Sequence, residues 1–291
     1  MSFSYRDETR ELNEHTRKEA SGSFVQLSDG FTHYELSNLD AEETVVLTHG
    51  FSVPYFIYDP TFEFLTRAGF CVLRYDLFGR GFSDRPDTRY NIDLFVRQLG
   101  DLLDGLGVTS PVCLVGLSTG GPITATFMAR FPERVNKLVL IDPVGAKPFA
   151  LGRVLKVAAL PILGEAIIGS IGSVHVAGKI ASSALEHEHM GEFGPRYISQ
   201  LEYKGFKRAI LSTIRNNMLG SFLDVYKYIG KMDKPVLLFW GRHDPTLPFR
   251  HSDTLRAAIP NVQFHAIDSG HNPHFEKPEE VNPILLKFLK S

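Results

Sequence analysis

The chain has 291 residues, of which 43% are hydrophobic and 22% charged, close to the globular average, and this excludes fibrous and disordered classes. A formal net charge of −2, without a long run of Lys and Arg, gives no means of neutralising a row of phosphates, so nucleic acid is not the expected partner. This length suits one α/β core carrying a large insertion.

Residues 1 to about 20 mix Arg6, Arg10, Arg17 and Lys18 with Asp7, Glu8, Glu11, Glu14 and Glu19, a pattern expected of a solvated surface arm with helical character. No apolar secretory core follows Met1, and both cysteines, Cys71 and Cys113, fall inside apolar runs, so a reducing, cytoplasmic setting is expected. Ser23 to Leu27 and Thr32 to Leu36, separated by Ser28-Asp29-Gly30, predict an antiparallel hairpin.

Short apolar runs then alternate with helical patterns: Val45 to Leu47, Cys71 to Leu73, Val112 to Val115, Leu138 to Ile141, Val236 to Phe239 and Val262 to Ile267. Runs without polar alternation predict parallel strands covered on both faces, the α/β rhythm. After Asn91, a suitable N-cap, Ile92, Phe95, Val96, Leu99, Leu102, Leu103 and Leu106 recur at helical spacing, with an end near Gly105 and Gly107.

The rhythm fails between about Val144 and Ile229, where the patterns are helical. The organisation expected is a core of residues 1–143 and 230–291, with residues 144–229 forming a helical cap over the strand ends. Phe149 to Gly172 is apolar, but Arg153, Lys156 and Glu165 interrupt it and Pro161 breaks it, short of the roughly 20 consecutive apolar residues of a membrane span.

The chemistry centres on Gly116-Leu117-Ser118-Thr119-Gly120-Gly121, between a strand and a helix. A G-x-S-x-G at such a turn exposes a serine hydroxyl above the sheet, with partial positive charge from the helix start where an oxyanion would form. A hydroxyl needs a base, and the base needs an orienting carboxylate, in the chain order serine, acid, histidine. His271, in the loop after the last strand, is the expected base. His274 is expected to pack or to face solvent, His49 to shape its loop, and His187-Glu188-His189 suggests a metal only weakly.

Asp244, directly after the strand Val236 to Phe239, is the expected acid. Asp142 holds a similar strand-end position but reads as a turn residue before Pro143, and Asp268 lies too close in sequence to His271 to orient it well. The two oxyanion N–H donors expected are those of Thr119 and of Phe51, the latter in the loop Thr48-His49-Gly50-Phe51-Ser52.

HGFS at His49 to Ser52, DLFGRGFSD at Asp76 to Asp84, GLSTGG at Gly116 to Gly121, GRHDPTLP at Gly241 to Pro248 and GHNPHFEKP at Gly270 to Pro278 together resemble the α/β-hydrolase superfamily from about Gly22 onward. The resemblance implies a mostly parallel eight-stranded sheet flanked by helices, with a helical cap inserted after the sixth strand. Within the superfamily the chain resembles capped carboxylesterases and monoacylglycerol lipases. The segment bearing Asp76, Gly79, Gly81 and Ser83 shapes a turn in relatives. Dehalogenases and epoxide hydrolases use an aspartate nucleophile, which Ser118 argues against. Carbon–carbon bond hydrolases share the triad, and Leu117 and Phe51-Ser52-Val53 fit them less well.

The expected function is hydrolysis of carboxyl esters with an apolar acyl chain, through an acyl-enzyme and without metal or organic cofactor. The alternatives are carbon–carbon hydrolysis of a dienoate, or a ligand-binding receptor on the same fold.

Overall fold

The computed structural model describes residues 5, 7–149, 160, 164 and 190–291. Its strands are β1 (Ser23–Leu27), β2 (Gly30–Ser37), β3 (Thr44–Thr48), β4 (Cys71–Tyr75), β5 (Val112–Leu117), β6 (Val135–Ile141), β7 (Val236–Gly241) and β8 (Gln263–Ile267). They form one eight-stranded sheet in the order β1-β2-β4-β3-β5-β6-β7-β8. The β1–β2 hairpin and the β2–β4 pair are antiparallel, and every other pair is parallel.

The apolar runs without alternation have the expected cause. Val46, Leu114, Leu140 and Leu238 pack into a core on one face of the sheet, while Val45, Leu47, Val115, Val139, Leu237 and Phe239 pack on the other. Successive strand side chains point to opposite faces, so a strand covered on both sides must be apolar throughout.

In chain order the α-helices begin with α1 (Glu14–Glu19), α2 (Asp59–Arg67), α3 (Ile92–Gly105) and α4 (Gly120–Arg130). The Asn91 side chain caps α3 by accepting from Leu94 N at 3.0 Å, and Leu94, Phe95, Val96, Leu99, Leu102 and Leu103 are buried. Between β6 and β7 come α5 (Met190–Leu201), α6 (Phe206–Arg215) and α7 (Leu223–Ile229), followed by α8 (His251–Ala258), α9 (Pro273–Glu276) and α10 (Pro278–Leu289). Among the described residues no strand lies between β6 and β7, in line with the helical patterns there. Of the apolar residues between Leu151 and Ile168, only Leu160 lies within the described residues, and it is half exposed.

The N-terminal arm departs from expectation. Helix α1 buries no residue, as a solvated helix should, but Tyr5 and Glu8 are buried. Glu8 accepts hydrogen bonds from Gly205 N and Lys207 N, both at 2.7 Å, and so satisfies orphan donors at the start of α6. Arg10 continues the contact by exchanging backbone hydrogen bonds with Glu202 and Lys204. Charge patterning alone hides this, because a buried carboxylate reads like a solvated one until its donors, some 200 residues away, are known.

The sheet order locates the site. From β3 the chain turns one way to β4 and then the other way to β5, which leaves a crevice at the carboxyl ends of β3 and β5. The loops after β3 and β5 carry Gly50 and Ser118.

Candidate active site

Ser118 follows the last residue of β5 and adopts φ +52°, the left-handed region that non-glycine residues rarely occupy. Its backbone is fixed on both sides: Ser118 N donates to Ile141 O at 2.9 Å, and Ser118 O accepts from Gly121 N and Val144 N, each at 3.0 Å. The glycine after it explains how α4 packs so closely, since a Cβ on Gly120 would lie 2.2 Å from Thr48 O. The strained turn therefore sits between the end of β5 and the first residues of a buried helix, with Thr119 at the N-cap position.

The loop after β3 runs against this turn. A Cβ on Gly50 would lie 3.2 Å from Ser118 Cβ, a tight contact that glycine relieves. His49 shapes this loop, as expected. Leu77 N donates to His49 Nε2 at 2.9 Å, which leaves the proton on Nδ1 to be donated to Gly50 O at 2.9 Å. Burial lowers the His49 imidazole to about 4 and keeps it neutral.

Two further side chains hold the loop through its carbonyls. Arg80 is fully buried and donates to Phe51 O, Phe78 O and Thr213 Oγ1. Gln200 donates to Ser52 O and accepts from Gly81 N, both at 2.9 Å. The turn at Asp76 to Asp84 and the helices α5 and α6 thus brace the residues 51–52. Sequence reasoning assigned this turn only a shape, and the signal for more was an arginine inside a motif of glycines.

The candidate base and acid are in direct contact. His271 Nδ1 lies 2.6 Å from Asp244 Oδ2, and both side chains are buried. The other Asp244 oxygen accepts from Thr246 N at 2.7 Å and Leu247 N at 2.8 Å. With Nδ1 held by the carboxylate, Nε2 is the nitrogen left to take a proton. Glu276 braces the histidine loop by accepting from Gly270 N and Asn272 N. Asp268 pairs instead with the exposed His243, at 2.7 Å, so it does not compete for His271. His274 is fully buried against the Tyr58 ring, and burial, then the neighbouring His271, lowers it to about 3. His187 and His189 lie outside the described residues.

Asp142 reaches the same place. It is fully buried at φ +40°, and its Oδ1 accepts from Gly241 N at 2.9 Å. One ligand atom each of Asp142, Asp244 and His271 lies within 4.8 Å of the others, the set among the described residues with donor types suited to a metal ion. In this set Asp244 and His271 already hold each other. The turn role expected of Asp142 is real, since its N–H donates to Phe239 O at 3.1 Å, but it does not describe the whole position.

A model of the alpha/beta hydrolase family matches residues 45–284. The chain belongs to that family, and it is a hydrolase by that membership. A 2-hydroxy-6-oxononadienedioate/2-hydroxy-6-oxononatrienedioate hydrolase of Pseudomonas putida is 30% identical over 286 residues, covering 94% of this chain and 98% of that one. Among solved structures, the enol-lactonase of Burkholderia xenovorans LB400 superposes with a TM-score of 0.78 at 19% identity, over 92% of this chain and all of that one. The carboxylesterase CesB of Bacillus subtilis does so with a TM-score of 0.75 at 22% identity, over 92% and 91%. These two likenesses show the fold. No described helix is long and apolar enough to cross a membrane.

Proposed function

We propose that the protein hydrolyses carboxyl esters of small molecules with an apolar acyl chain, with Ser118 as nucleophile, His271 as general base and Asp244 as the orienting acid. The observation that carries this reading is the buried His271–Asp244 hydrogen bond together with a serine in a left-handed strand-to-helix turn. Ser118 Oγ attacks the ester carbonyl while its proton passes to His271 Nε2, and the alcohol leaves with that proton. Water then attacks the acyl group, gives a proton to His271, and the acid departs as Ser118 recovers its hydroxyl. The backbone N–H groups of Phe51 and Thr119 are the proposed oxyanion donors, favoured by the close approach of Gly50 to Ser118 and by the start of α4.

Residues 144–229 are the proposed cap over an acyl pocket. In support, Gln200 and Thr213, from α5 and α6, bond to the loop at Ser52 and to Arg80. Burying an acyl chain contributes roughly 0.8 kcal/mol per methylene, close to fourfold for each carbon. kcat/KM for nitrophenyl esters should climb from acetate to at least hexanoate, with a charged acyl tail rejected. A steady fall from acetate onward would remove the apolar pocket. The free, buried Cys71 and Cys113 suit the proposed cytoplasmic location.

Carbon–carbon hydrolysis is the second reading, and the Pseudomonas putida relative, matched over nearly its whole length, favours it. Comparing kcat/KM for a nitrophenyl ester and for a 2-hydroxy-6-oxo-dienoate decides between them. A much slower ester would move the assignment to the carbon–carbon bond.

A further inference from the structure

Asp142 is a buried titratable group that the proposed mechanism leaves unused. Its Oδ1 is satisfied by Gly241 N, but Oδ2 is buried with no donor among the described residues. A carboxylate ion with a bare buried oxygen carries a large desolvation penalty, and among the described residues the neighbouring His271 pairs with Asp244 rather than with Asp142. The groups that face it are Asp244, from the loop after β7, Glu276, from α9, and His271, from the loop after β8. A second and third negative charge make ionisation still less favourable. Burial first and Asp244 second push the Asp142 carboxyl well above the usual carboxylate range. A protonated Oδ2 turns the bare acceptor into a donor, and the Asp244 carboxylate is the acceptor beside it.

We propose that Asp142 is a positioning residue for the triad, its carboxyl O–H donating a hydrogen bond to the Asp244 carboxylate, so that the loops after β6 and β7 together fix the partner of His271. Asp244 then receives Thr246 N, Leu247 N, His271 Nδ1 and Asp142 O–H, a full complement for two carboxylate oxygens. An ionised Asp142 would instead place two buried carboxylate groups side by side, with no proton between them to form a hydrogen bond. The strained backbone at φ +40° and the bond from Gly241 N aim the side chain toward β7.

This inference rests on the triad reading, so its test includes a readout independent of activity. Isotope-edited infrared spectroscopy at neutral pH should show a protonated-carboxyl band in the wild type that is absent from Asp142→Asn. Asn keeps a neutral donor at the same place, so kcat/KM should stay within about threefold of wild type. Asp142→Ala removes the donor and should lower kcat by about tenfold to a hundredfold with little change in KM. Absence of the wild-type band, or an Asn variant as impaired as the Ala variant, overturns the proposal. If Ala fails to fold, the infrared band and the Asn variant still decide. If Ser118 proves not to be the nucleophile while the band is present, the triad reading fails and the Asp142–Asp244 hydrogen bond stands.

Discussion

The loops after β6 and β7 each place an Asp-Pro pair at the carboxyl edge of the sheet, and they leave the two carboxyl groups in opposite situations. Asp244 collects three N–H donors, from Thr246, Leu247 and His271, whereas Asp142 collects one, from Gly241, and leaves its second oxygen bare. Residue type and strand-end position are alike, so neither separates the proposed orienting carboxylate from the proposed protonated one. The number of donors that the surrounding backbone supplies does.

The comparison breaks most directly at Asp244. Asp244→Asn should lower kcat by about 10⁴-fold, the loss seen when the orienting carboxylate of a serine triad is removed. Steady-state kinetics on a hexanoate ester checks this, and a loss no greater than that of Asp142→Asn would exchange the roles of the two aspartates. Glu276→Gln removes a charged acceptor shared by Gly270 N and Asn272 N, which brace His271. A reduction in kcat of roughly tenfold to a hundredfold is expected, corresponding to about 1.5–3 kcal/mol for a hydrogen bond to a charged group.

The same contrast extends to histidines. His271 has a carboxylate on Nδ1, whereas His49 and His274 are fully buried without one, their pKa values lowered by burial to about 4 and about 3. The folded-state pKa lies below the unfolded value, so the unfolded chain binds protons first as pH falls. Stability is retained above pH ~6.5 and lost from there down toward pH ~4, by up to about 1.4 kcal/mol per pH unit for each histidine. Urea unfolding across this range measures it, and His274→Gln should flatten the slope. An unchanged slope would show that His274 does not carry the effect. The smallest change belongs to Asp142→Asn, expected within about threefold of wild-type kcat/KM.

Much of this architecture was legible in the sequence because its signals are local. Apolar runs gave the parallel strands, Asn91 the start of α3, and the glycines around Ser118 the turn at which its backbone enters the left-handed region. Asp244 and His271 were singled out by strand-end position, and the fold brings them to 2.6 Å. Long-range features were not legible. Glu8 belongs to the start of α6, Arg80 to Phe51 and Thr213, and Gln200 to Ser52, across separations that no periodicity records. Asp142 was read as a turn residue because its carboxyl environment depends on Gly241, in a neighbouring strand and 99 residues further along.

The central claim is that Ser118 carries an activated hydroxyl, and covalent labelling by a fluorophosphonate tests it most directly. The purified protein should gain one phosphonyl group, mapped by peptide mass spectrometry to Ser118, and Ser118→Ala should remain folded and unlabelled. Labelling of the alanine variant at the wild-type rate, or a modification mapped to another residue, would contradict the account.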